Sequence, residues 1–234
     1  TSVKTFNTME KLAPIMKDCK GKFNTDLTFD SILDANMKPV QNTINGKGKI
    51  TSQSIQVVNP KSMKKVAEAL KMDKYKKFHL KDLDVNFTIV KGVTTVKPFT
   101  NKIHNSKATI GGTLKTDQSV NFNVNMLIPR SEFPSGVNTT YDDLIKQANK
   151  AGFTLKAADT IEADIKITGS VSEPKVKLDT SKTTDKLKAE LKKQIAEKLE
   201  KEAKKLEDKA KEEADKLLKE AEKKGKELLK GLFE

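Results

Sequence analysis

Residues 107–130, KATIGGTLKTDQSVNFNVNMLIPR, constrain the fold more than any other stretch of this chain. Val120, Phe122, Val124, Met126 and Ile128 alternate with Ser119, Asn121, Asn123 and Asn125. Side chains alternate across a strand with period two, so this pattern gives one apolar and one polar face. Just upstream, Ala108, Ile110, Gly112 and Leu114 alternate as well. Both apolar sets occupy even positions. Facing residues of an antiparallel hairpin have a constant sum, so even faces even only across a loop with an odd number of residues. The parity predicts a three-residue loop at 116–118, bulged rather than a tight two-residue turn. Leu114 then faces Val120 and Gly112 faces Phe122, where the missing side chain leaves room for the ring.

The flanking chain repeats the pattern. Residues 5–19 space Phe6, Met9, Leu12, Ala13 and Met16 as a short helix, interrupted by Pro14 and stopped at Gly21. Phe23, Thr25, Leu27 and Phe29 alternate as a strand, and so do Leu83, Val85, Phe87 and Ile89. Gly46 and Gly48 sit in an extended run that continues through Ile50, Ile55 and Val57. They read as a bulge or close backbone approach, since a dinucleotide loop needs a third glycine and a following helix. Pro60 opens a helix with Met63, Val66, Ala67 and Leu70 on one side. Gly92 turns the chain into a returning strand, 93–103. Thr139 and Thr140 cap a helix to Lys150 with Leu144, Ile145 and Ala148 inward, stopped by Gly152. Ile161, Ala163, Ile165 and Ile167 alternate once more, and 175–178 reads as the last strand. Strands with one oily and one polar face predict an antiparallel sheet. The fold class expected is α+β: a curved, mainly antiparallel sheet with flanking helices over 1–181, then a long amphipathic helix over 182–234.

That last segment changes character. With Thr183, Thr184 and Asp185 supplying an N-cap, lysine, glutamate, alanine and leucine take over. From Ile195 the apolar positions step by four, four and three, an eleven-residue period that holds the stripe on one face of a nearly straight helix. Unbroken, it is roughly 80 Å long. The stripe is alanine-rich, so it can cover only a narrow trough. Leu228, Leu229, Leu232 and Phe233 are greasier and form the candidate contact of the tail, with the sheet face or a membrane surface.

Charge narrows the function classes. The net charge is +13. From Lys182 onward 17 lysines stand against 14 acids, which leaves +10 on residues 1–181. A basic body favours anionic partners. Arg130 is the only arginine, and readers of nucleic acid lean on arginine for bidentate contacts, so nucleic acid is disfavoured as a partner. Cys19 is a single cysteine, and His79 and His104 stand in no metal-ligand spacing. Asp82 and Asp84 read as solvated carboxylates at a strand edge. The triplets at 86–88 and 138–140 match glycosylation sequons by chance spacing. No catalytic residue, metal site or cofactor is expected. No apolar run is long enough to span a bilayer, and the chain reads as a processed piece of something longer, with any anchor upstream.

A family resemblance adds to this. Residues 29–40 (FDSILDANMKPV) and 45–50 (NGKGKI), then 79–87 (HLKDLDVNF), 97–99 (KPF), 111–114 (GGTL) with 117–119 (DQS), 128–132 (IPRSE), 167–171 (ITGSV) and 173–176 (EPKV) follow one another in order. Together with the lysine- and glutamate-rich tail, they resemble the C-terminal region of AsmA-like proteins of Gram-negative bacteria. The resemblance implies a periplasmic module of an inner-membrane-anchored protein. It implies a role in outer-membrane biogenesis, phospholipid or another acyl-chain lipid as partner, and no catalytic residues. Under it the candidate lipid-facing residues are Phe87, Ile89, Ile110, Leu114, Val120, Phe122, Val124, Met126, Ile128, Ile165 and Ile167. Contacts with a membrane surface or other envelope proteins are compatible with it. The competing expectation is a scaffolding domain: the helices at 60–72 and 139–150 close the apolar face into an ordinary core, and the tail docks a partner or self-associates.

Overall fold

A computed structural model describes residues 18–58, 60–133 and 139–232, without the side chains of 139–140 and 225–232. Eight strands form one sheet in the order of the sequence, each antiparallel to its neighbours. They are β1 (Cys19–Asp30), β2 (Asn45–Val58), β3 (Lys77–Val90), β4 (Val93–Ile103), β5 (Ser106–Leu114), β6 (Val120–Pro129), β7 (Thr160–Gly169) and β8 (Pro174–Asp179). The helices are α1 (Lys61–Leu70), α2 (Thr139–Lys150) and α3 (Ser181–Leu232). The sheet is curved and open, as α+β patterning predicts. The described residues group into a sheet unit, within 1–140 and 157–184, and a helical unit, within 141–156 and 185–234.

The sheet unit is organised by one apolar face. The hairpin of β5 and β6 has the expected register, with Leu114 facing Val120 and Gly112 facing Phe122. Its loop has three residues, 116–118. The Lys115 amide donates to the Ser119 carbonyl at 2.9 Å, and Gln118 takes the left-handed conformation, φ 65°, that closes such a bulged turn. Asp117 Oδ1 accepts from the Ser119 amide at 2.8 Å. By contrast β3 and β4 are joined by two residues, Lys91 and Gly92, both at positive φ, as a type I′ turn requires.

A crease crosses β1–β4. On β3 the buried set is Phe78 and Leu80, then Leu83, Phe87 and Ile89; it switches parity across Asp82, at φ 49°. On β2 the face-lining residues switch from Ile50 and Ser52 to Ile55 and Val57 at the same level. Because both strands switch together, their pairing stays in register. The crease continues as register shifts between Lys22 and Asn24 on β1 and between Val96 and Phe99 on β4, where Pro98 stands. Asp82 and Asp84 therefore lie inside a strand rather than at its edge, and Asp84 pairs with Lys49 at 2.8 Å.

Helix α1 shows how strongly the sheet curls. It leaves the end of β2, near one edge of the sheet, yet packs against β8 at the other. Val66, Ala67 and Leu70 are its buried stripe, joined to the sheet core, with Met63 half-buried. Lys71 at φ 54° ends it.

Two sequence expectations are corrected at the termini of the sheet unit. Cys19 begins β1 instead of ending a helix, and Gly21 lies within that strand opposite Ile55. A Cβ at Gly21 would stand 2.6 Å from the Ser54 carbonyl oxygen, so this glycine serves a close strand approach rather than a stop. Residues 5–17 of the expected helix lie outside the described residues. Helix α3 starts at Ser181, not after 183–185. Asp179 Oδ1 accepts from the Ser181 amide at 2.8 Å, while the buried Thr183 hydroxyl accepts from the Glu162 amide at 2.9 Å.

In the helical unit, α2 ends as expected at Gly152, φ 79°, with the Phe153 amide donating to the Ala148 carbonyl. Ala148 is buried, Leu144 and Ile145 half-buried, and Tyr141, which the sequence reading left out, is fully buried. Gln194 bonds both the amide and the carbonyl of Thr154, at 3.1 and 3.0 Å, fixing the segment after α2 to α3. Lys198 stands 5.1 Å over the Phe153 ring. From Leu199 to residue 224, the last with a described side chain, the α3 stripe faces solvent: Leu199, Leu206 and Leu217 are 61–69% exposed.

Candidate functional site

The apolar sheet face is not filled by its own side chains. Together with α1 it surrounds a cavity of about 570 Å³, within the span of roughly 300–1,000 Å³ usual for ligand pockets. Alternation on six adjacent strands, β2 to β7, aims the side chains inward, and α1 contributes Met63 and Val66. The walls are almost wholly hydrocarbon. The charged side chains on the lining are Asp18, Lys61 and Lys64, all beside the first turn of α1 or the start of β1.

Ten of the eleven residues singled out in the sequence line this cavity: Phe87, Ile89, Ile110, Leu114, Val120, Phe122, Val124, Met126, Ile165 and Ile167. The ladders explain their convergence. Ile110 faces Val124, which faces Ile165, and Gly112 faces Phe122, which faces Ile167. Ile128 does not line it. This residue is fully buried near the other end of β6, opposite Ile161, where the core is closed. Leu228, Leu229 and Leu232 have side chains outside the described residues, as does the whole of Phe233.

The sequence reading missed the near half of the cavity. Phe78 and Leu80 lie beyond the crease on β3, where parity inverts, so alternation read from Leu83–Ile89 places them wrongly, and Phe99 and Ile103 lie beyond the register shift on β4. The stripe of α1 was the available signal for Met63 and Val66.

Two glycines shape the wall. Phe87 faces Gly48 and Phe122 faces Gly112, each ring lying over the strand beside it. Gly48 thus serves a close approach, as the sequence suggested, rather than a phosphate loop.

Cys19 also lines the cavity, half-buried at the start of β1. Burial pushes its thiol up to about 11, and the neighbouring Asp18 charge adds to this. His104 Nε2 donates to the Lys74 carbonyl at 2.9 Å and its ring meets Tyr75 edge-on; His79 is exposed on β3. Among the described residues no three His, Cys, Asp or Glu side chains come together as a metal site requires. No helix among them is long and apolar enough to cross a membrane.

The outer face carries polar ladders instead. Asn125 donates to Asp164 and Glu162 at 2.8 and 3.1 Å, and Lys182 pairs with Asp164 at 2.7 Å. Comparison of the chain with protein-family models, curated proteins and solved structures finds no match.

Proposed function

We propose that this chain is a non-enzymatic lipid-binding module that holds or guides the acyl chain of a phospholipid, or of another acyl-chain lipid, along the apolar face of its sheet. The observation that carries this reading is the cavity of about 570 Å³ with hydrocarbon walls. Apolar cavities of this kind do not hold ordered water, so an entering hydrocarbon chain displaces no hydrogen-bonded solvent and gains dispersion contacts that the empty walls lack. The basic body, +10 over residues 1–181, suits anionic head groups. The resemblance to AsmA-like proteins supports a periplasmic setting, as part of an inner-membrane-anchored protein acting in outer-membrane biogenesis.

Native mass spectrometry after gentle purification, with uptake of a fluorescent fatty acyl probe, tests the proposal. Wild type is expected to carry or take up the lipid. Val85→Trp, which places an indole in the cavity from a half-buried position, is expected to fold and take up none. Absence of both bound lipid and probe uptake in wild type overturns it. One observation favours a second role, as a scaffold: the exposed Leu199, Leu206 and Leu217 stripe of α3 is suited to a partner helix. A stable oligomer lost on deleting 182–234 would support that role.

A further inference from the structure

In the sheet unit, exposed large apolar side chains are confined to one place. Among the described residues outside α3, those more than a third exposed are Phe29, Ile32, Leu33, Met37 and Val90. Four belong to the end of β1 and the loop after it, and the fifth, Val90, ends β3 just before the Lys91–Gly92 turn. Hydrogen bonds join these segments: the Gly92 amide donates to the Ile44 carbonyl at 2.8 Å and the Lys91 amide to Asn45 Oδ1 at 2.9 Å.

The loop is built, not slack. Asp34 Oδ1 accepts from the amides of Asn36 and Lys38 at 2.8 and 2.9 Å. The Val40 amide donates to the Ile32 carbonyl, and Leu33 bridges Pro39. Thr43 Oγ1 accepts from the Ile32 amide at 3.0 Å. Within this frame Met37 sits at φ 59° with 75% of its surface in solvent. With Ile32 and Leu33 it places three exposed large apolar side chains within six residues of one ordered loop, and grouped exposed apolar surface of this kind is a feature of interaction sites.

What the tip adjoins identifies the partner. Ile44, Phe87 and Ile89 form one cluster with Leu27, Ile50 and Val96 packed on it. Phe87, Ile89, Ile50 and Val96 also line the cavity. The apolar cluster at this end of the cavity therefore reaches Ile44, which lies in the same β1–β2 connection as the exposed loop. Exposed Lys38, Lys47 and Lys91 stand at the same end, against Asp30 and Asp34, and one Asp34 oxygen is already committed to the backbone.

We infer that the loop 31–40 is a membrane-contacting tip. It seats Ile32, Leu33 and Met37 in the interface of an anionic bilayer and opens the Phe87–Ile89 end of the cavity to the acyl region. This rests on the lipid-binding reading for its purpose, but the contact itself is measured separately. Lysines around an apolar tip keep their charge at the head groups while the tip reaches below them.

Flotation of the full chain with vesicles of phosphatidylcholine and phosphatidylglycerol tests it. Wild type is expected to float, and the triple variant Ile32→Ser, Leu33→Ser, Met37→Ser to lose roughly tenfold or more of that association. The three side chains are exposed, so thermal unfolding should be unchanged. The triple variant should still take up a monomeric acyl probe from solution, whereas Val85→Trp should float and take up none. Wild type that stays off the vesicles, or a triple variant that floats equally well, overturns the inference. A wild-type dimer that the triple variant dissolves, with no flotation, also overturns it and assigns the tip to a second copy. If wild type floats by this tip and takes up no probe, the lipid-binding reading falls and the membrane contact stands.

Discussion

Phe122 lies across Gly112, its partner on the neighbouring strand, so closely that a Cβ there would stand 2.8 Å from the ring's Cγ and 2.6 Å from the Cα of Phe122. Phe87 covers Gly48 in the same way, with a Cβ 2.9 Å from its Cε1. The two differ in what would have to move. At Gly48 the obstacle is mainly the far edge of a ring that can swing, whereas at Gly112 it is backbone of the facing strand as well. Gly48→Ala is expected to cost about 1–3 kcal/mol through overpacking. Gly112→Ala is expected to cost more, because the ladder itself must yield. Urea unfolding of both variants checks the order; equal costs would mean that β6 gives way as easily as a ring.

A second prediction concerns the turn after β4. Tyr75 and Ser106 are both fully buried and share a hydrogen bond of 2.6 Å. Removing one partner leaves a buried hydroxyl unpaired, so Ser106→Ala and Tyr75→Phe should each destabilise by about 1–3 kcal/mol. The double variant should cost less than the two single costs combined, because no orphaned hydroxyl remains. Denaturant unfolding of the four proteins gives the coupling; strict additivity would show that the pair contributes nothing beyond packing.

The hairpin around 107–130 was legible because its information is local. Parity restricts the loop to an odd number of residues, and a three-residue loop sets Gly112 opposite Phe122. The crease was not legible, because the inversion that turns Phe78 and Leu80 inward is a cooperative distortion of four strands. Its sequence traces, Asp82 in β3 and Pro98 in β4, look ordinary one at a time. Alternation likewise tells which face is apolar but not how much of it is covered. Coverage depends on α1 reaching β8, a contact between elements about a hundred residues apart in sequence. Gly21 misled because a glycine before an alternating run reads equally well as a helix stop or as room for a neighbouring backbone.

Glu132 gives a pH-dependent prediction. Hydrogen bonds from Lys74 and then Asn105 hold its carboxyl below the ordinary glutamate range. A carboxylate whose pKa is lowered by folding stabilises the protein above its unfolded value, and that contribution is lost as pH falls through the folded value. Glu132→Gln should therefore be less stable than wild type at neutral pH, and the gap should close as the solution is acidified below the usual carboxylate range. Thermal unfolding across that range reads it. A gap that stays constant to low pH would assign the cost to packing rather than charge.

Cys19 offers a chemical reporter on the cavity. Only the thiolate is alkylated, and with a thiol near 11 on the order of a hundredfold fewer thiolates are present at pH 8 than in free cysteine. Iodoacetamide labelling followed by mass spectrometry should accordingly be slow at pH 8 and quicken by about tenfold per pH unit toward 11, because the thiolate fraction grows in that proportion. Cys19 also lines the cavity, so an acyl chain bound there should slow labelling further at every pH. Val85→Trp, which excludes the chain, should remove the protection by lipid while leaving the slow intrinsic rate. Labelling at pH 8 as fast as free cysteine would contradict the burial of the thiol. Slow labelling that added lipid leaves unchanged would place the chain elsewhere on the protein.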